Sequence, residues 1–199
     1  MIGDPQTWLG AVLAGGHSKR MGSDKAAMMR EGVPLWSRQR DVLRDAGVVR
    51  VFLVRQPGQS APEGVPCLRD SVPGIGPLGG LHAALREAGN SPVAVLAVDM
   101  PGIGPDWYAW LSGFCAQGVG AMARHGAGCE PLAALYPPGA LAFAEAAIAK
   151  GDYSLQRLAR DLADSGQMNF VSLDDTAKRR VQSVNTPEQK NGWASSPVS

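Results

Sequence analysis

The chain of 199 residues carries 19 basic and 18 acidic side chains, a formal net charge of +1, and is 45% hydrophobic. Such a chain suits one sizeable globular domain. Its near-neutral charge argues against general nucleic-acid binding, so any anion site must be local. No apolar run approaches the roughly 20 residues that span a bilayer, and Met1 to Thr7 lack the basic and apolar blocks of a secretory signal. Cys67, Cys115 and Cys129 make neither a CxxC pair nor a disulfide framework, and with three histidines there is no zinc-type cluster. Buried or incidental thiols in a reducing cytoplasm are the expectation.

The first element is an apolar, strand-like run closing on Val12 and Leu13, and the turn after it is the most informative stretch of the chain. Ala14, Gly15 and Gly16 let the backbone turn without side-chain obstruction, and Lys19, Arg20 and Lys25 follow in the same loop. Small residues let backbone N–H groups approach an anion, and fixed positive charges neutralise it. The combination reads as a cradle for a nucleoside triphosphate. It is not a P-loop, because no Lys follows a Gly. Nor is it a dinucleotide-binding loop, because the next glycine after Gly16 is Gly22.

Pro34 opens a helical stretch with Leu35, Val42, Leu43 and Ala46 on one face, and Gly47 ends it. Val48 to Val54 is then a β-branched second strand, completing a βαβ unit. Val65 to Leu68 is a weaker strand candidate, with Asp70 just beyond it. Val72 to Gly80 is dense in Gly and Pro, and a helix with Leu78, Leu81, Leu85 and Ala88 on its apolar face should follow. By itself the Gly/Pro segment reads as a connecting loop; the alternative is a surface whose exposed backbone reads a flat base edge.

Pro92 to Val98 is apolar throughout, as a central parallel strand covered on both faces should be. It ends in Asp99, at the edge where open α/β sheets bind ligands. Asp99 could simply stabilise the next turn, but beside the cationic first loop it is well placed to hold Mg²⁺. Trp107, Tyr108, Leu111, Phe114 and Cys115 form the next helical face. Val119 to Ala123 reads as a strand, Arg124 to Pro131 as a polar loop carrying a solvated His125, and Leu132 to Tyr136 as a further strand. Helices are expected over 139–149 and 154–163, and strands over Met168 to Leu173 and Val181 to Val184 around a solvated turn, Asp174 to Arg180. Thr186-Pro187-Glu188-Gln189 has the form of a helix start. Residues 1–191 are expected to form the single domain and 192–199 a disordered tail.

The stretch LAGGxxxRMG followed by Lys25 resembles the signature loop of the small nucleotidyltransferases that act on the molybdenum cofactor. Ala-Gly-Gly rather than Ala-Ala-Gly is nearest to the guanylyltransferases of that family and separates it from the cytidylyltransferases, which use CTP. Further matches are Pro34-Leu35-Trp36, Asp70-Ser71, Gly76 to Gly80 with Asp99, and Asn185 to Glu188. The resemblance implies a single three-layer, Rossmann-like α/β domain with a mainly parallel sheet and the site at its C-terminal edge. It implies transfer of GMP from GTP to the terminal phosphate of molybdopterin, with pyrophosphate as co-product and Mg²⁺ as cofactor. Leu13, Ala14, Gly15, Gly16, Lys25, Asp70 and Asp99 would bind the nucleotide, Arg20, Lys25 and Asp99 would carry the catalysis, Asp99 would hold the metal, and Asn185 would face the second substrate. Molybdenum-insertion proteins and molybdoenzyme chaperones are the macromolecular partners it implies. Two positions depart from the pattern: some relatives carry Asn where this chain has Val54, and Asn where it has Ser183. A sugar-phosphate nucleotidyltransferase, normally longer, and a non-catalytic nucleotide binder are the competing readings.

Overall fold

The computed structural model describes residues 4–15, 25–70, 72–174 and 178–181. Gly16, Arg20 and Asn185, the helix start at Thr186 to Gln189, residues 182–184 of the last expected strand and the tail 192–199 lie outside the described residues, as does the side chain of Lys25.

In chain order the elements are β1 (Leu9–Leu13), β2 (Met29–Arg30), β3 (Val33–Pro34), α1 (Leu35–Asp45), β4 (Arg50–Arg55), β5 (Cys67–Arg69), α2 (Pro77–Ala88) and β6 (Val93–Ala97). There follow α3 (Pro105–Ser112), β7 (Gly120–His125), β8 (Gly128–Cys129), β9 (Ala133–Tyr136), α4 (Ala140–Ala149), α5 (Leu155–Asp164) and β10 (Met168–Ser172). The main sheet runs in the order β10-β7-β9-β6-β1-β4-β5, with β8 paired to β7. β1 is parallel to both β4 and β6, β4 to β5, and β7 to β10, while β9 runs antiparallel between β6 and β7. The sheet is therefore mainly parallel, with one full-length reversed strand. From β1 the chain winds out to β4 and β5, then returns across β1 to β6. The reversal leaves a crevice at the C-terminal ends of β1 and β6, the switch point at which open α/β sheets take ligands.

Helices cover both faces. Leu43 of α1 and Trp107, Tyr108 and Leu111 of α3 pack with Val12, Ala94 and Leu96 on one side. Leu78, Leu81 and Leu85 of α2, Ala140 and Ala144 of α4, and Leu155, Leu158 and Leu162 of α5 pack with Leu9, Ala11, Val93 and Val95 on the other. Each strand thus sends alternate side chains into opposite layers, and both layers are apolar, which explains the unbroken hydrophobic runs of β1 and β6. Gly47, at φ +93°, ends α1: its N–H donates to Arg44 O at 2.8 Å, and the Val48 N–H donates to Leu43 O at 3.1 Å.

Several expected boundaries shift for local reasons. Pro34 is the residue before α1, with extended ψ of 140°, because it closes a two-residue hairpin with Met29 that no periodicity announced. Ala46 caps α1 rather than continuing it. α3 stops at Ser112, so Phe114 and Cys115 leave its face; Phe114 instead stands exposed, edge-on to Trp110 at 5.6 Å. The polar loop after Ala123 is partly strand, β7 turning back through β8. Arg180 is not a solvated turn residue. Its guanidinium makes two bonds of 2.7 and 2.8 Å to Asp106 and lies over the Trp107 ring. Val181, expected to open a strand, is in a turn and buried. Among the described residues no helix is long and apolar enough to cross a membrane.

Candidate active site

A cavity of about 310 Å³ lies at the switch point, in the size range of small-molecule pockets, roughly 300–1,000 Å³. Its walls come from the C-terminal ends of three neighbouring strands: Leu13 and Gly15 after β1, Val54 and Gln56 around the end of β4, and Ala97, Val98 and Asp99 at the end of β6. Asp70, one residue past β5, and Gly76, Pro77 and Gly80 at the start of α2 complete it, with Leu132 from the turn just before β9. Of the nucleotide-binding residues expected from the sequence, Leu13, Gly15, Asp70 and Asp99 meet around this one space. Ala14 is buried beside it, its N–H donating to Val54 O at 2.9 Å, so it shapes the turn without lining the cavity. Lys25 begins a single 3-10 turn, Lys25–Ala27.

The glycines of the Gly/Pro segment act by leaving room. Gly79 and Gly80 lie within α2, not in the loop before it. A Cβ on Gly80 would stand 3.1 Å from both Asp70 Oδ1 and Val54 Cγ1, and one on Gly79 would stand 2.9 Å from Val72 O. Gly76, at φ +71°, turns the chain into the helix in a conformation that side chains rarely adopt. Gly76, Pro77 and Gly80 therefore stand on the cavity wall, with the start of α2 packed close against the Asp70 carboxylate.

Asp70 is 8% exposed, and burial raises its pKa from 3.8 to about 6. Its N–H is fixed to Arg55 O at 3.0 Å by the parallel pairing of β4 and β5. The carboxylate thus faces a mostly apolar cavity and is held at an energetic cost, which suits a group awaiting hydrogen-bond donors from a ligand.

Asp99 is half-buried at the end of β6. The turn carrying it is tied to β1 by Val98 N–H to Leu13 O at 3.2 Å, and to α1 by Gln39. Gln39 is 3% exposed and its Nε2 donates to Met100 O at 2.9 Å and to Ala97 O at 3.4 Å, the carbonyls on either side of Val98-Asp99. Sequence reasoning passed over Gln39, a polar residue on an otherwise apolar helix face; that interruption was its only signal. It also passed over Glu130. Burial, with a smaller contribution from the Asp99 charge, lifts Glu130 to about 7, while the Leu132 N–H pulls the other way. His125 Nε2 lies 3.8 Å from Glu130 Oε2, so His125, at the end of β7, has a carboxylate neighbour instead of being merely solvated.

An oxygen-only site in which two carboxylates feel each other's charge fits a hard divalent cation such as Mg²⁺. Among the described residues no group of three or more His, Cys, Asp or Glu could hold a metal, so a bound ion would need phosphate oxygens to complete its shell. No cysteine lines the cavity. Cys67, Cys115 and Cys129 are all free, and burial pushes Cys115 to about 12 and Cys129 to about 11.

Residues 10–166 match the family model described as MobA-like NTP transferase domain. A protein of Opitutus terrae named "Probable molybdenum cofactor guanylyltransferase" is 44% identical over 186 residues, covering 92% of each chain. One of the same name from Deinococcus radiodurans is 36% identical over 148 residues, covering 73% of this chain and 76% of its own. The crystal structure of molybdopterin-guanine dinucleotide biosynthesis protein A from Archaeoglobus fulgidus superposes with a TM-score of 0.73 at 24% identity. It covers 92% of this chain and 95% of that one.

Proposed function

The chain belongs to the MobA-like NTP transferase family and is a nucleotidyltransferase, and within that class we propose that it transfers GMP from GTP to the terminal phosphate of molybdopterin. The acceptor phosphate oxygen attacks the α-phosphorus, the bond from that phosphorus to the β-bridging oxygen breaks, and pyrophosphate leaves. The products are the guanine dinucleotide form of the cofactor and pyrophosphate. Because the nucleophile is already an anion, no strong general base is needed; the barrier is anion repulsion and charge growing on the leaving group.

The observation that carries the guanine reading is Asp70. A buried carboxylate accepts hydrogen bonds and cannot donate them once ionised. Guanine alone among the common bases offers two adjacent donors, N1–H and the 2-amino group; adenine and cytosine present an acceptor at the corresponding ring nitrogen. Leu13, Val54 and Pro77 supply the apolar walls that a flat base needs. By the family resemblance the N–H groups of Gly15 and Gly16, with Arg20 and Lys25, would take the β- and γ-phosphates, while Asp99 would hold Mg²⁺. Bound there, the ion would offset phosphate charge. Asn185 is assigned to the acceptor side by the same resemblance. The three free thiols support a reducing setting, and we place the enzyme in the cytoplasm.

The test is pyrophosphate release with Mg²⁺ and molybdopterin, comparing GTP with CTP, ATP and UTP. Release with GTP alone is the expected result. Preference for CTP would move the assignment to a cytidylyltransferase, and GTP binding without turnover would make the chain a nucleotide binder.

A further inference from the structure

Gln56 occupies a wall of the same cavity. Its backbone is fixed at both ends. The N–H donates to Gln59 Oε1 at 2.9 Å, and the carbonyl accepts from Arg69 Nη1 at 3.3 Å. The side chain starts over Gly15: a Cβ there would meet Gln56 Cγ at 3.1 Å and Asp70 Oδ2 at 3.7 Å. Gly15, Gln56 and Asp70 therefore border one small volume, and the glycine is what lets the glutamine stem and the carboxylate approach it together. Among the described residues the Gln56 carboxamide makes no hydrogen bond. The carboxamide carries two N–H donors, and Gln56 lines the same cavity as Asp70, whose ionised carboxylate only accepts.

We infer that Gln56 is a specificity-determining residue that donates its carboxamide N–H to O6 of guanine while the Asp70 carboxylate accepts from N1–H and the 2-amino group. The register follows from complementarity. Asp70 must meet donors, guanine has two in a row, and the atom next to them on the same edge is the acceptor O6. A donor is required at that point, and Gln56 is the neighbouring side chain that has one.

The inference rests on the guanine reading above, and the experiment separates the two. Equilibrium binding of GTP, 6-thio-GTP, inosine triphosphate and CTP to the full chain is measured without acceptor. 6-Thio-GTP replaces O6 by a poorer acceptor but keeps both donors; inosine triphosphate keeps O6 but lacks the 2-amino group. Wild type should prefer GTP to both analogues. Gln56→Ala should bind GTP about tenfold more weakly, lose the preference over 6-thio-GTP, and keep the preference over inosine triphosphate, which reports on Asp70. Gln56→Met, which keeps the stem against Gly15, should do the same and controls for folding. In either variant kcat at saturating GTP should stay near wild type while KM rises. An unchanged ratio of GTP to 6-thio-GTP affinity in both variants overturns the role of Gln56 and leaves the guanine reading standing. Wild-type preference for CTP overturns both.

Discussion

Asp70→Asn separates what the cavity costs the protein from what it does for the ligand. In the folded chain burial raises Asp70 from 3.8 to about 6, so the folded state holds a proton that the unfolded state releases. Stability attributable to this group is therefore undiminished below pH ~4, falls as pH rises through the interval, and is lost in full above pH ~6. At about 1.4 kcal/mol per pKa unit, the shift corresponds to roughly 3 kcal/mol at pH 8 and about half of that at pH 5. Asparagine keeps the shape without the charge. The apo variant should be more stable than wild type, by ~3 kcal/mol at pH 8 and ~1.5 kcal/mol at pH 5, in urea melts taken across that range. Saturating GTP should stabilise wild type and do little for the variant, since the lost carboxylate is the acceptor for the base. A stability difference constant from pH 5 to 8, or a variant weaker than wild type at pH 8, would refute the reasoning that burial drives the shift.

Gly80→Val should raise KM for GTP by at least tenfold with a native far-UV spectrum, because even a Cβ at this position stands 3.1 Å from Asp70 Oδ1; an unaltered KM would remove Gly80 from the pocket wall. Gln39→Leu deletes the donor beneath the Asp99 turn and should cost about 1–2 kcal/mol in denaturant melts, with a weaker Mg²⁺ dependence; loss of stability with an unchanged Mg²⁺ titration would make Gln39 a core residue only. Asp99→Asn should shift the Mg²⁺ titration to higher concentration, and an identical titration curve would count against metal binding there. Lys25→Ala should lower kcat by roughly two to three orders of magnitude, the scale of one lost electrostatic donor; wild-type turnover would sink its assignment.

Most of the architecture was legible because a parallel sheet leaves a strong trace. Strands covered on both faces become unbroken apolar runs, as in Leu9 to Leu13 and Val93 to Ala97, and helices with one buried stripe show a 3.6-residue period, as in α2 and α5. The residues proposed for the site stood out by type, because chemistry constrains residue type: small residues and cations in the stretch after β1, and a carboxylate just past the end of the most apolar strand. Boundaries set by few-residue contacts were not. Phe114 carries the right residue type for a helix face, yet it lies outside α3 because the helix ends before Gly113, a capping event that hydrophobic spacing does not encode.

The sequence by itself determined the layers, the strand candidates and the family, since these rest on periodicity and on a loop whose residues are read directly. Only the tertiary structure decided which of the polar residues share one space. Asp70 and Gly80 are ten positions apart and Leu13 and Asp99 eighty-six, yet all four line one cavity. Their meeting depends on the order β6-β1-β4-β5, which puts four strand ends side by side. The same packing removes water from Asp70 and presses Gly80 against it, so a carboxylate that is ordinary in sequence becomes, through burial alone, the costly group around which the cavity is built.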